Sequence, residues 1–224
     1  MWVEFFGLGA RNLITMSHDA YNSYFTLFQL PQHLNLDVAA LEKHFYALSR
    51  RLHPDRFASK PASEQEAALS ASSRLNDAYR TLKDPILRTQ YLLKLEGVEL
   101  EEQSKAATDA ARATGREKKQ VVPPELLEEV FELNMQLQEM RAANQMGEDE
   151  PELRRDLMTA KDAFDAKMVE TQAELEGLWF AWDAGVDAGD EATKARAKDA
   201  MVGLLNKRSY LRNLVRDVNE ALGL

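Results

Sequence analysis

Apolar residues recur along this chain at intervals of three and four, a spacing that restricts it to an all-α fold of packed helices. Between Asp37 and Leu52, the positions Leu41, Phe45, Leu48 and Leu52 fall on one helical stripe, with Lys43, Arg50 and Arg51 on the opposite side. A second stripe, Ala68, Ala71, Leu75, Ala78, Tyr79 and Leu82, lies in a segment running from Ser63 to about Lys83. Its small residues allow close approach to the first stripe, so the two segments predict an antiparallel helical hairpin with Phe45 and Tyr79 in its core. Ser63 to Glu66 has the pattern of a capping box at the start of the second helix. Further along, Leu126, Val130, Leu133, Leu137 and Met140 form a seam on a long helix opened by Pro123-Pro124. Pro151 to Val186 repeats the pattern through Leu153, Leu157, Ala160, Phe164, Met168, Thr171, Leu175, Leu178 and Trp182, and Asp190 to Leu222 repeats it more weakly. Short polar joints at Asn144 to Glu150 and Ala184 to Asp190 predict an antiparallel three-helix bundle, with Trp179, Phe180 and Trp182 as packing residues.

These segments divide the chain into an extension over 1–20, a first domain over 21–96, a connector over 97–122 and the bundle over 123–224. The extension is interrupted by Glu4 and Arg11, and its pattern fits neither a signal nor a transit peptide; Met16 is an alternative start. No stretch approaches the 18 or more apolar residues that span a bilayer. Tyr21 to Leu30 reads as a short first helix. Asp84-Pro85 punctuates the chain before a helix to about Leu95, whose Ile86, Leu87, Tyr91 and Leu92 are too apolar for a free linker. From Gly97 to Val122 no apolar stripe is sustained.

One short stretch carries chemistry. In Leu52-His53-Pro54-Asp55-Arg56-Phe57, the proline ring fixes its own φ and disfavours helix at His53, so the first hairpin helix stops there. The imidazole is displayed beside the Asp55 carboxylate on a backbone with little freedom left to lose on binding. An ordinary helix-to-helix turn has the same local pattern, so the neighbouring residues decide what it means. An enzymatic reading would add His18, His33 or His44 to this pair as metal ligands, but no two histidines have the i, i+4 spacing of a helical zinc site. Neither a glycine-rich phosphate loop nor a nucleophile elbow occurs. The chain has no cysteine, which excludes disulfides and thiol catalysis. Its net charge of −9 is uneven: residues 1–95 carry 11 Lys and Arg against 9 Asp and Glu, the remainder 17 against 28. An acidic second half argues against nucleic acid or an anionic membrane as partner.

The residues around the turn resemble the J-domain: Tyr24 to Leu30, the basic helix before His53, and Leu75-Asn76-Asp77-Ala78-Tyr79-Arg80-Thr81-Leu82 after it, covering 21 to about 84. More narrowly, Tyr24-Phe25-Thr26-Leu27-Phe28 and the exit Asp84-Pro85-Ile86-Leu87-Arg88-Thr89-Gln90-Tyr91-Leu92-Leu93 resemble the iron-sulfur co-chaperone family HscB, called Jac-type in mitochondria. The resemblance implies an activator of a partner's ATPase and not an enzyme in its own right. His53, Pro54, Asp55, Lys43, Arg50 and Arg51 would dock on an HscA/DnaK-type chaperone. Leu127, Phe131 and Glu132 fall at the family's contacts with an IscU-type iron-sulfur scaffold protein, and Tyr210 sits where the family has an aromatic near that surface. From the residues alone, core packing stays open for Leu127, Phe131 and Tyr210. Asn134 and Met135 depart from the family's more charged residues. No cofactor is expected, because no cysteine can hold a cluster and the metal would sit on the partner. A cytoplasmic, bacterial-type setting is expected, with the mitochondrial matrix as the second choice. A generic J-domain co-chaperone serving other clients is the alternative function.

Overall fold

The computed structural model describes residues 23–98 and 122–224. The expectations for 1–20, including Met16 and His18, and for all but the ends of 97–122 lie outside these residues. Seven α-helices are found among the described residues, and no strand. They are α1 (Tyr24–Leu27), α2 (Val38–Leu52), α3 (Ala62–Lys83), α4 (Pro85–Leu95), α5 (Leu127–Met146), α6 (Pro151–Ala188) and α7 (Glu191–Leu222), with 3-10 turns at Pro54–Phe57 and Pro124–Leu126. They form two compact units. The described part of the first is residues 23–98 with Trp182–Lys194; that of the second is residues 122–181 with Ala195–Leu224.

In the first unit, Ser23 opens α1 with a capping box, its Oγ accepting from the Thr26 N–H at 3.2 Å while Thr26 Oγ1 accepts from the Ser23 N–H at 3.2 Å. The helix stops after one turn because Gln29 takes a left-handed conformation, φ 55°, letting Leu30 N–H reach the Phe25 carbonyl at 2.9 Å. Asp37 caps α2 through Ala39 and Ala40 N–H, both at 3.0 Å. Leu41 and Leu52 of α2 are buried with Ala68, Leu75, Ala78 and Leu82 of α3, which realises the predicted hairpin. Phe45 and Tyr79 meet within it, rings stacked at 4.2 Å and 15°, but each keeps partial exposure and is not fully enclosed. The capping box expected at Ser63 does not form. The α3 helix already begins at Ala62, where the Pro61 carbonyl accepts from Glu64 and Gln65 N–H, so Ser63 lies inside the first turn. Asp84 caps α4 through Ile86 and Leu87 N–H at 2.8 Å, and Pro85 occupies the position where no N–H is needed. Leu92 and Leu93 are wholly buried, and Tyr91 stacks on Tyr24 at 4.4 Å while its hydroxyl accepts from the Tyr24 N–H at 2.8 Å.

The tip of α6 completes this unit by gripping the loop between α1 and α2. The Asp183 carboxylate accepts from Leu34 N–H (2.6 Å), Asn35 N–H (2.9 Å) and Asn35 Nδ2 (2.8 Å). Trp182, fully buried, donates Nε1–H to the Gln32 carbonyl at 2.9 Å, and His33 Nε2 lies 2.9 Å from Asp187 Oδ1. Arg88 is almost completely buried and donates Nη1–H to the Leu82 carbonyl at 2.5 Å. Burial lowers its pKa, and the charges of Asp183 and Asp84 oppose that shift. Gly185 leaves room for the start of α7: a Cβ there would come within 2.9 Å of Lys194 Cγ and 3.3 Å of the Lys194 backbone nitrogen.

In the second unit, Asn144 Nδ2 donates to the Ala221 carbonyl at 3.0 Å and Arg154 Nη1 to the Leu222 carbonyl at 3.2 Å. These bonds bring the end of α5, the start of α6 and the end of α7 together, so α6 runs antiparallel to both others. One core joins them, from Leu126, Val130, Leu133, Leu137 and Met140 to Leu157, Phe164, Leu211, Leu214 and Val218. Phe180 departs from expectation. It is 67% exposed, because Leu175, Trp179 and Trp182 take the inward positions of α6 and Phe180 falls between them.

Candidate functional site

The α2 helix ends at Leu52 because His53 is extended, with ψ 129°, ahead of Pro54. The 3-10 turn that follows is tied down by Phe57, which is buried, and by an Arg56 N–H to His53 carbonyl bond of 3.0 Å. This leaves the side chains of His53 and Asp55 55% and 88% exposed. Nδ1 of His53 accepts a long bond, 3.4 Å, from the Asp55 N–H and lies 3.5 Å from the Asp55 carboxylate. Nδ1 can accept from this N–H or, when protonated, donate to the carboxylate, so Asp55 holds the ring from either side of its titration. Lys43 and Arg50 are exposed on α2; Arg51 is half-buried. Lys43 and Arg50 are seven residues apart on one face, and Tyr46, 54% exposed, stands between them. Sequence reading missed Tyr46 and Arg56. Tyr46 was legible as an aromatic residue lying off the Leu41-Phe45-Leu48-Leu52 stripe, and Arg56 as a cation directly after the turn's carboxylate.

On α5 the two apolar rows separate cleanly. Val130, Leu133 and Leu137 are at most 5% exposed, whereas Leu127, Phe131 and Met135 are 56%, 69% and 59% exposed. Glu132 lies exposed beside them. An isolated exposed leucine is ordinary, but three large apolar side chains at i, i+4 and i+8 make a continuous strip that water wets at a cost. Acidic residues Glu128 and Glu129 suit the positive end of the helix, and Lys167 and Lys207 pair with Glu129 and Glu125 at 3.1 and 3.5 Å. The Glu125 carboxyl is held below its ordinary pKa by its own backbone N–H, with Lys207 adding to the effect. Tyr210 is half-buried against the bundle core, and burial raises its phenol pKa, with Asp217 contributing.

Of the other histidines, the two that lie among the described residues do not gather around the turn. His33 pairs with Asp187, and His44 is half-buried on α2. Among the described residues no cluster of three or more His, Cys, Asp or Glu is arranged to hold a metal, and no helix is long and apolar enough to cross a membrane.

No family model matches the chain. The co-chaperone protein HscB homolog of Neisseria meningitidis serogroup C is 41% identical over 125 residues, which cover 56% of this chain and 67% of that protein. The protein of the same name from serogroup B matches to the same extent. Among solved structures, human co-chaperone protein HscB superposes with a TM-score of 0.52 at 22% identity, over 88% of this chain and 82% of the human one. Chaperone HscB from Vibrio cholerae gives 0.48 at 25% identity, over 85% and 96%. The human structure shows a shared all-α fold. The Neisseria identity carries more, since it extends over two thirds of the relative's length, and by it the chain belongs to the HscB co-chaperone family.

Proposed function

We propose that this co-chaperone couples an IscU-type iron-sulfur scaffold protein to an HscA/DnaK-type chaperone. The first unit docks on the chaperone's ATP form through His53, Pro54, Asp55 and the Lys43, Arg50 and Arg51 side of α2, and biases it towards hydrolysis. The second unit holds the scaffold on the Leu127, Phe131 and Glu132 face of α5, with Tyr210 at its border. The observation that carries this reading is the outward turn: an imidazole and a carboxylate, both largely exposed, are fixed by a proline and by a buried phenylalanine. Little conformational entropy remains for a partner to remove there.

The chain performs no chemistry in this scheme. Holding client and chaperone-docking turn on one polypeptide raises the effective concentration of client at the chaperone. Hydrolysis then traps the scaffold and favours release of its cluster. The test is His53→Gln, measured as chaperone ATPase rate against concentration of this protein. The substitution removes stimulation and leaves scaffold binding intact; a rate indistinguishable from wild type overturns the docking role. A wild-type chain that stimulates the chaperone but binds no scaffold would mark a J-domain co-chaperone for other clients.

A further inference from the structure

We infer that Asp183, far down the chain from the docking turn, is a positioning residue for chaperone activation; this deepens the function proposed above and rests on it. In the loop from Phe28 to Asp37, local backbone bonds hold Gln29, Leu30 and His33, whereas the N–H groups of Leu34 and Asn35 bond outside the loop. Gln29 sits in the left-handed region at φ 55°, where a side chain is strained, and the next helix starts only at Val38. The order at Leu34 and Asn35 comes from the α6 tip. Leu34 is fully buried, yet its backbone N–H and that of Asn35 are satisfied by one carboxylate, that of Asp183, at 2.6 and 2.9 Å. Asn35 Nδ2 adds a third bond to the same group, and Trp182 fixes the carbonyl of Gln32 just upstream.

This carboxylate sits where movement would be transmitted. Asn35 is two residues before Asp37, the cap that starts α2, and α2 runs without interruption to Leu52, where His53 begins the turn. A helix of 15 residues is a stiff rod about 22 Å long, so fixing its entry fixes the direction in which its exit is aimed. Arg88 of α4 lies buried in the same unit, and the Asp183 charge opposes the lowering of its pKa by burial.

The experiment uses the full-length chain with Asp183→Ala and, as the variant more certain to fold, Asp183→Asn, which keeps one acceptor oxygen. Amide hydrogen exchange and chaperone ATPase titrations are measured on each. In Asp183→Ala the Leu34 and Asn35 amides exchange at least tenfold faster, while amides of α5 keep their rates. The concentration giving half-maximal stimulation rises severalfold with the maximal rate unchanged, and Asp183→Asn recovers part of both. His53→Gln differs, because it lowers the maximum itself. Unchanged exchange at Leu34 and Asn35 overturns the clasp. Faster exchange with an unshifted titration makes Asp183 a purely structural residue and overturns the positioning role. A wild-type chain that stimulates no chaperone sinks the functional reading and this role with it, whereas the clasp then still stands or falls on the exchange rates.

Discussion

Replacing Leu127 and Phe131 together by alanine separates a binding face from a core. Full burial of a leucine or phenylalanine side chain is worth about 1.5–3 kcal/mol. Leu127 and Phe131 are 56% and 69% exposed in the free chain, so less than half of that value is realised on folding, and their combined loss costs folding about 1–2 kcal/mol. The same truncation at Leu133, which is 1% exposed, costs about 2–5 kcal/mol alone, because it leaves a cavity. The exposed fractions are what a partner would cover. By the same scale they contribute about 2–4 kcal/mol to binding, a loss of roughly two orders of magnitude in affinity when both are removed. Calorimetric titration against an IscU-type scaffold measures the affinity, and thermal denaturation with circular dichroism measures the fold. The reasoning is refuted if affinity holds within threefold, or if the double variant melts as early as Leu133→Ala.

Three further outcomes follow from the first unit. Tyr91→Phe keeps the stack on Tyr24 but leaves the Tyr24 N–H without its 2.8 Å acceptor, costing about 1–3 kcal/mol in chemical denaturation. Burial raises the Tyr91 pKa above its ordinary value near 10, so its contribution is complete below about pH 10 and is lost as pH rises through the folded-state value. Alkaline unfolding monitored by phenolate absorbance should therefore be less steep in Tyr91→Phe than in the parent, and an identical profile would contradict the assignment. Gln29→Gly relieves a left-handed φ of 55° and should stabilise the protein by about 0.5–1 kcal/mol, after the entropy glycine adds to the unfolded chain; a lower melting temperature would show that the Gln29 side chain has a role of its own.

Periodicity located the helices because burial of one face dictates it, and Asp84-Pro85 marked a start because proline suits the first turn of a helix. The failures share a cause. At Ser63 a correct capping pattern lost to Pro61, which takes the cap position two residues earlier and whose carbonyl begins the helix. Phe180 was assigned by chemical type when its position on α6 decided otherwise, with Trp179 and Trp182 taking the inner face. The turn at His53 was legible because proline acts on its immediate neighbour. The inward seam of α5 was legible too, since Leu126, Val130, Leu133, Leu137 and Met140 alternate spacings of four and three; that Leu127 and Phe131 stay outside the core was not, because only the position of α6 and α7 decides it. Least legible was the clasp: Asp183 bonds to residues 148 and 149 positions away, a separation at which no local pattern carries information.

The backbone visits the first unit twice, once with its described residues 23–98 and again with Trp182–Lys194 before returning to the bundle. Modular exchange is therefore harder than a two-part order along the chain would imply. A graft of residues 23–98 onto a foreign protein would arrive without the tryptophan and aspartate that hold its own loop. Recombination that respects this architecture has to transplant two separated pieces of gene at once, which ties the inheritance of the front unit to that of the long rear helices.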